Sequence, residues 1–174
     1  MDIVLVLGLL PYLADIHARL RPCAPVSEPE LEVDPNNRVV MLCAEGMRAE
    51  SEGRHADAKA LFEQAWEVST DDLEACVAAH YVARHQDNDH DTLRWNEEAL
   101  RRADAVGDDR VRGFYPSLYL NMGRSHESLG NLTEARRYYE LASACVDELA
   151  GNRYGDLVRD AVARAKLRTA ARSE

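Results

Sequence analysis

Apolar and small residues recur along this chain at intervals of three and four, the spacing that lines one face of a helix, and the pattern predicts helices and no sheet. Leu42, Gly46 and Ala49 share one face of a first helix, Gly53 marks a turn, and Ala58, Leu61, Phe62 and Ala65 share one face of a second. Two further helical stretches follow, roughly 72–86 lined by Ala78, Ala79, Val82 and Ala83, and roughly 90–106 lined by Leu93, Ala99, Leu100 and Ala103. Gly123 to Ala142 reads as another helical hairpin. Near the C-terminus Tyr154, Leu157, Val158, Ala161, Val162 and Ala165 fall at helical spacing, with Arg153, Arg159, Arg164, Lys166 and Arg168 on the opposite face.

The hairpins repeat one another. Gly123, Gly130, Ala135, Tyr139 and Ala142 have the same mutual spacing as Gly46, Gly53, Ala58, Phe62 and Ala65, a coincidence over five positions that one short motif would not give. A glycine on the first helix and an alanine on the second let two helices touch, an aromatic ring fills the space beneath, and a further alanine lets the next pair dock. On these residues the chain resembles the tetratricopeptide repeat family, and its arginine-rich usage fits a bacterial member; the unit is a helix-turn-helix of roughly 34 residues. The resemblance implies an all-α, right-handed α-solenoid of stacked helix pairs, with repeats at about 39–72, 73–106 and 116–149. A capping helix at about 153–171 closes the array. In that frame Cys76, His80, Thr92, Asn96 and Ala99 occupy the key positions of the middle repeat, so a histidine stands where a small residue is expected. Nine surplus residues fall in Gly107 to Tyr115, and some of them are expected to lengthen the next first helix, which would start near Asp108 or Asp109 and run through Pro116 with a kink or restart there.

Residues 1–38 read differently. Ile3 to Leu13 is an almost unbroken apolar run, shorter than the ~20 residues a membrane span takes. Asp2 stands where a signal peptide carries basic residues. A helix laid on the open end of the array, or a stretch ahead of the true start, is expected instead. Pro22, Pro25, Pro29 and Pro35 make the following segment a linker.

Composition narrows the function classes. A formal net charge of −10 argues against a general nucleic-acid binder, which needs a basic surface to neutralise phosphates. Cys23, Cys43, Cys76 and Cys145 form no Cys-x-x-Cys pair, so reduced thiols and a cytoplasmic address are expected. Asp87, Asp89, Asp91 and Glu98 stand at positions 1, 3, 5 and 12 of a calcium-loop template, but Thr92 replaces its glycine. His126-Glu127 lacks the second histidine of a zinc-protease motif, and no nucleophile elbow, phosphate loop or dinucleotide turn is present. No metal, cofactor or enzymatic activity is expected.

The resemblance also implies a concave surface lined by the first helices of the repeats. By frame its exposed positions are Val40, Cys43, Ala44, Met47 and Glu50, then Val77, Ala78, Tyr81, Arg84 and His85, then Ser117, Leu120, Asn121, Arg124 and Glu127. Relatives that grip a terminal carboxylate use Lys, Asn and Arg there, and only Asn121 suits such a grip. Met47, Tyr81, Arg84, His85, Asn121 and Arg124 form the candidate partner-binding patch, mixed aromatic and cationic. The expected function is a non-catalytic adaptor that holds a peptide or helix of another protein. The alternatives are a self-associating homodimer module and a metal-dependent sensor built on residues 87–91.

Overall fold

The computed structural model describes residues 34, 36–149 and 151–171, and the expectations for the apolar run and most of the linker lie outside them. Among the described residues there are seven α-helices and no strand. They are α1 (Arg38–Ser51), α2 (His55–Val68), α3 (Asp72–Ala83), α4 (Asp89–Val106), α5 (Tyr115–Ser128), α6 (Leu132–Ala144) and α7 (Arg153–Ala170). Short 3₁₀ turns at Asp109–Phe114 and Val146–Glu148 precede α5 and α7.

Helix starts follow local chemistry. Asn37, Asp71, Asn88 and Asn152 each accept a backbone N–H from the first turn of α1, α3, α4 and α7, which satisfies donors the helix itself cannot pair. Asp108 does the same for the 3₁₀ turn, accepting from Arg110 N at 3.0 Å. The surplus residues therefore form a separate 3₁₀ turn, and α5 restarts at Tyr115 with Pro116 in its first turn, where the missing N–H costs nothing. Within the α1–α2 and α5–α6 hairpins the turn is made by glycine instead. Gly53 and Gly130 both adopt φ +78°, and the amides after them reach back to Ala49 O and His126 O at 2.8 Å, a paired closure that needs a left-handed residue.

Packing follows the small and large positions. Phe62 lies directly on Gly46 and Tyr139 on Gly123, and both rings are fully buried. Ala58, Ala65, Ala135 and Ala142 are fully buried too, as close helix approach requires. In the middle pair the volumes are exchanged: His80 replaces the glycine and Asn96 the aromatic ring. A larger first-helix residue is thus matched by a smaller second-helix one, and both polar side chains find partners on α5. His80 Nδ1 lies 3.4 Å from Asn121 Nδ2 on α5, and Asn96 Nδ2 donates to Ser125 Oγ at 2.9 Å. Trp66 and Trp95 meet edge to face at 5.1 Å and belong to the packing of both the first and the middle pairs.

The last helix packs on α6, and its polar side carries ties as well as solvated charge. Arg168 Nε and Nη2 donate to both oxygens of Glu127 at 2.9 and 2.8 Å, while Tyr139 Oη donates to Glu127 Oε2 at 2.7 Å. One carboxylate thus joins α5, α6 and α7.

Candidate functional site

The first helices of the three pairs, α1, α3 and α5, carry Met47, Tyr81, Asn121 and Arg124, while Arg84 caps the C-terminus of α3 and His85 follows it. Tyr81 on α3 stacks on Phe62 with ring centroids 5.0 Å apart and planes 13° from parallel, and its hydroxyl lies 3.2 Å from Met47 Sδ on α1. One turn on, Arg84 pairs with Glu50 of α1, and its guanidinium sits 5.8 Å over the Tyr81 ring. His85 lies against Phe62 at 5.2 Å and brings Nε2 to 3.5 Å from Glu50 Oε1. Met47, Tyr81, Arg84 and His85 are therefore one contiguous group at the α1–α3 junction. Asn121 joins them through His80, whose ring is edge-on to Tyr81 at 5.3 Å. Arg124 is half-buried one turn further along α5.

The expected exposure of this face needs correction. Cys43, Met47, Ala78, Tyr81, Ser117, Leu120 and Asn121 are buried, at 6% exposure or less. Side chains of α1, α2 and α3 meet at one junction, so Tyr81 and Met47 spend their surface on one another and on Phe62 instead of on solvent. Val40, Ala44, Glu50, Val77, Arg84, His85, Arg124 and Glu127 are half-buried. What this face offers outward is thus the set of charged and polar side chains at its edge, with the aromatic ring beneath them.

Burial also sets the electrostatics. The His80 imidazole is pushed down to about 3 by burial and by the nearby Arg84 charge, so it is neutral in the folded protein. Burial raises the Glu50 carboxyl, but the His85 ring and the Arg84 guanidinium beside it outweigh that and hold it below its usual value. Burial pushes the Cys43 and Cys76 thiols up to about 12, which makes them small packing residues instead of nucleophiles. Cys23 lies outside the described residues.

The acidic turn does not assemble a chelate. Asp87 is exposed and pairs with Lys59 at 3.3 Å, Asp89 and Asp91 lie in the first turn of α4, and Glu98 is held by Arg101 and Arg102. Among the described residues no group of three or more His, Cys, Asp or Glu side chains is placed to hold a metal ion.

Sequence reasoning passed over two clusters. One is the Glu50–Arg84–His85 knot, whose members the repeat frame places singly in a solvent-facing row; the spacing of 34 between Glu50 and Arg84 is its signal in the sequence. The other is an open cleft of about 420 Å³ lined by Trp66, Glu67, Ser69, Thr70, Asp71, Asp72, Ala75 and Arg102. There Arg102 lies 5.4 Å over Trp66 and pairs with Asp72 and Glu98. No short motif marks that cleft.

Paired antiparallel helices, matched glycine-aromatic contacts and a final helix with a polar side define an all-α helical-repeat protein. Residues 116–143, which span nearly all of α5 and α6, match the family model described as Tetratricopeptide repeat, and this match supports a TPR family protein. Comparison with curated proteins gives no match, and comparison with solved structures gives none. A repeat of this type suggests a protein–protein interaction module, and proteins of the family are generally non-catalytic scaffolds. Among the described residues no helix is long and apolar enough to cross a membrane.

Proposed function

We propose that the protein is an adaptor that holds a peptide or helix of another protein along the face formed by α1, α3 and α5. The observation that carries this reading is the contiguity of Met47, Tyr81, Arg84 and His85 at one helix junction, extended to α5 through His80 and Asn121. Its buried floor is aromatic and apolar, and its half-buried edge carries Arg84, His85 and Arg124. Such a face suits a segment that lies along its edge and places an acidic or carbonyl group against Arg124, with the aromatic floor holding the edge in place. The repeat match at α5–α6 supports an interaction role of this kind.

Because Tyr81 and Met47 are core residues, alanine at either would damage the fold as well as the face. Arg124→Glu is the cleaner probe, since Arg124 is half-buried at the edge. In a cross-linked pull-down from cell lysate, the protein captured by the wild type is expected to fall roughly tenfold with this variant, as for loss of one charge-assisted contact. Equal capture by a variant of unchanged melting temperature would sink the assignment of this face.

Self-association is the second reading, favoured by Leu167, which is 74% exposed on the last helix. Light scattering across a concentration series decides it, and a monomer at every concentration removes it.

A further inference from the structure

The first and third helix pairs place a glutamate at the same point. Glu50 lies four residues after Gly46 and Glu127 four after Gly123; Phe62 and Tyr139 each lie sixteen after the same glycines. The two glutamates also receive an arginine from a later element, Arg84 for Glu50 and Arg168 for Glu127. They differ in what fills the second carboxylate oxygen. Glu127 Oε2 accepts the Tyr139 hydroxyl at 2.7 Å, whereas Phe62 has no hydroxyl to give and Glu50 Oε2 is buried without a hydrogen bond. Arg84 Nη1 and His85 Nε2, on the two residues that flank the Glu50 carboxylate, are buried and make no hydrogen bond either, His85 Nε2 coming no closer to Glu50 Oε1 than 3.5 Å. The His85 side chain is only 10% exposed, and those of Arg84 and Glu50 15%.

We propose that Glu50, Arg84 and His85 form a binding site for one neutral hydroxyl oxygen, supplied in the isolated protein by a solvent water. The three atoms are an acceptor, a donor and an imidazole nitrogen that can be either, so the fitting group must both donate and accept. A second anion would meet the Glu50 carboxylate and a cation the Arg84 guanidinium, while an apolar group would leave all three unsatisfied. A hydroxyl oxygen donates and accepts from a single atom, and the third helix pair supplies one covalently as the Tyr139 phenol. Buried waters take such places where two or more polar partners converge. The consequence is an asymmetry between the two ends of the array: the glutamate knot near α7 is closed by protein atoms, and the one at the α1–α3 junction by an exchangeable group.

The test is a double-mutant cycle read by melting temperature, together with a high-resolution crystal structure of the full chain. Phe62→Tyr places a phenol oxygen at the site. It is expected to raise the melting temperature by about 3 °C, as release of one ordered water, worth about 1 kcal/mol, would in a domain of this size. The same substitution in a Glu50→Ala background is expected to give no such gain. In the wild-type crystal an ordered oxygen is expected within hydrogen-bond distance of Glu50 Oε2 and of Arg84 Nη1 or His85 Nε2, displaced by the phenol in Phe62→Tyr. An equal effect of Phe62→Tyr in both backgrounds, or a wild-type density map with no oxygen there, overturns the proposal. Neither readout depends on the adaptor reading, because no partner takes part.

Discussion

Gly123→Ala is expected to destabilise the protein by about 2–3 kcal/mol, although alanine is the better helix former by nearly 1 kcal/mol. A methyl group on Gly123 would collide with the Tyr139 ring, with Cδ1 at 2.5 Å and Cζ at 3.0 Å. The ring cannot yield easily. It is fully buried, and its hydroxyl is fixed on Glu127, which Arg168 holds in turn. Gly46→Ala should behave alike, with Phe62 Cδ1 and Cζ both at 2.8 Å from the added atom. Gly113→Ala is the control, because the nearest atom there is Glu148 O at 3.7 Å. Urea denaturation of the three variants checks this: lower midpoints for the first two, and a change within about 0.5 kcal/mol for the third. A Gly123→Ala protein as stable as the wild type would mean that the helices of this pair do not approach as closely as described.

The stability of the protein is expected to fall by about 2 kcal/mol between pH 7 and pH 5 on account of His80 alone. Its folded pKa is about 3, against an ordinary value of 6.5, so the unfolded chain takes up a proton that the folded one refuses. A depressed histidine contributes stability that is full above 6.5 and is lost as the pH falls toward 3, at nearly 1.4 kcal/mol per unit once the unfolded form is protonated. Carboxylates do not obscure this window. Glu50, Glu74 and Glu98 are held below their ordinary 4.5, so their share of stability is present above that value and is lost only as the pH falls below it. Denaturation series at pH 7, 6 and 5 should show the slope in the wild type and a much flatter profile in His80→Leu. Identical slopes in the two proteins would show that His80 is not the responsible group.

Much of the fold was legible because the repeat imposes a contact at each key position. Gly46 with Phe62 and Gly123 with Tyr139 are separated by the same sixteen residues, and a helical hairpin brings that separation together without help from distant chain. The same holds for Gly53 and Gly130, whose turn demands a left-handed residue. The middle pair was harder to read. His80 and Asn96 look like failures of the pattern one at a time, and only their joint placement shows that volume has been exchanged between two helices. The nine surplus residues were legible as an insertion capped by Asp108, but their 3₁₀ form rests on Val111 packing into the core between α3, α4 and α5.

The candidate face was legible in membership and misread in exposure. Frame counting assigns Met47, Tyr81 and Asn121 to one side of the first helices, and they do lie on these helices. Whether that side meets solvent depends on how closely α1, α3 and α5 approach one another, and no single-helix pattern carries that distance. The Glu50–Arg84–His85 knot is legible in the sequence only as a spacing of 34, since charged residues at helix ends read as solvated until a neighbouring helix covers them.

The sequence by itself thus determined the helices, their turns and the close contacts within each pair, because these depend on residue size and φ at short separations along the chain. Only the tertiary structure decided which polar groups are buried, which protons they keep and which hydrogen bonds they lack. Those properties belong to the contact between one helix pair and the next, where desolvation and neighbouring charge are set by residues about 34 positions away.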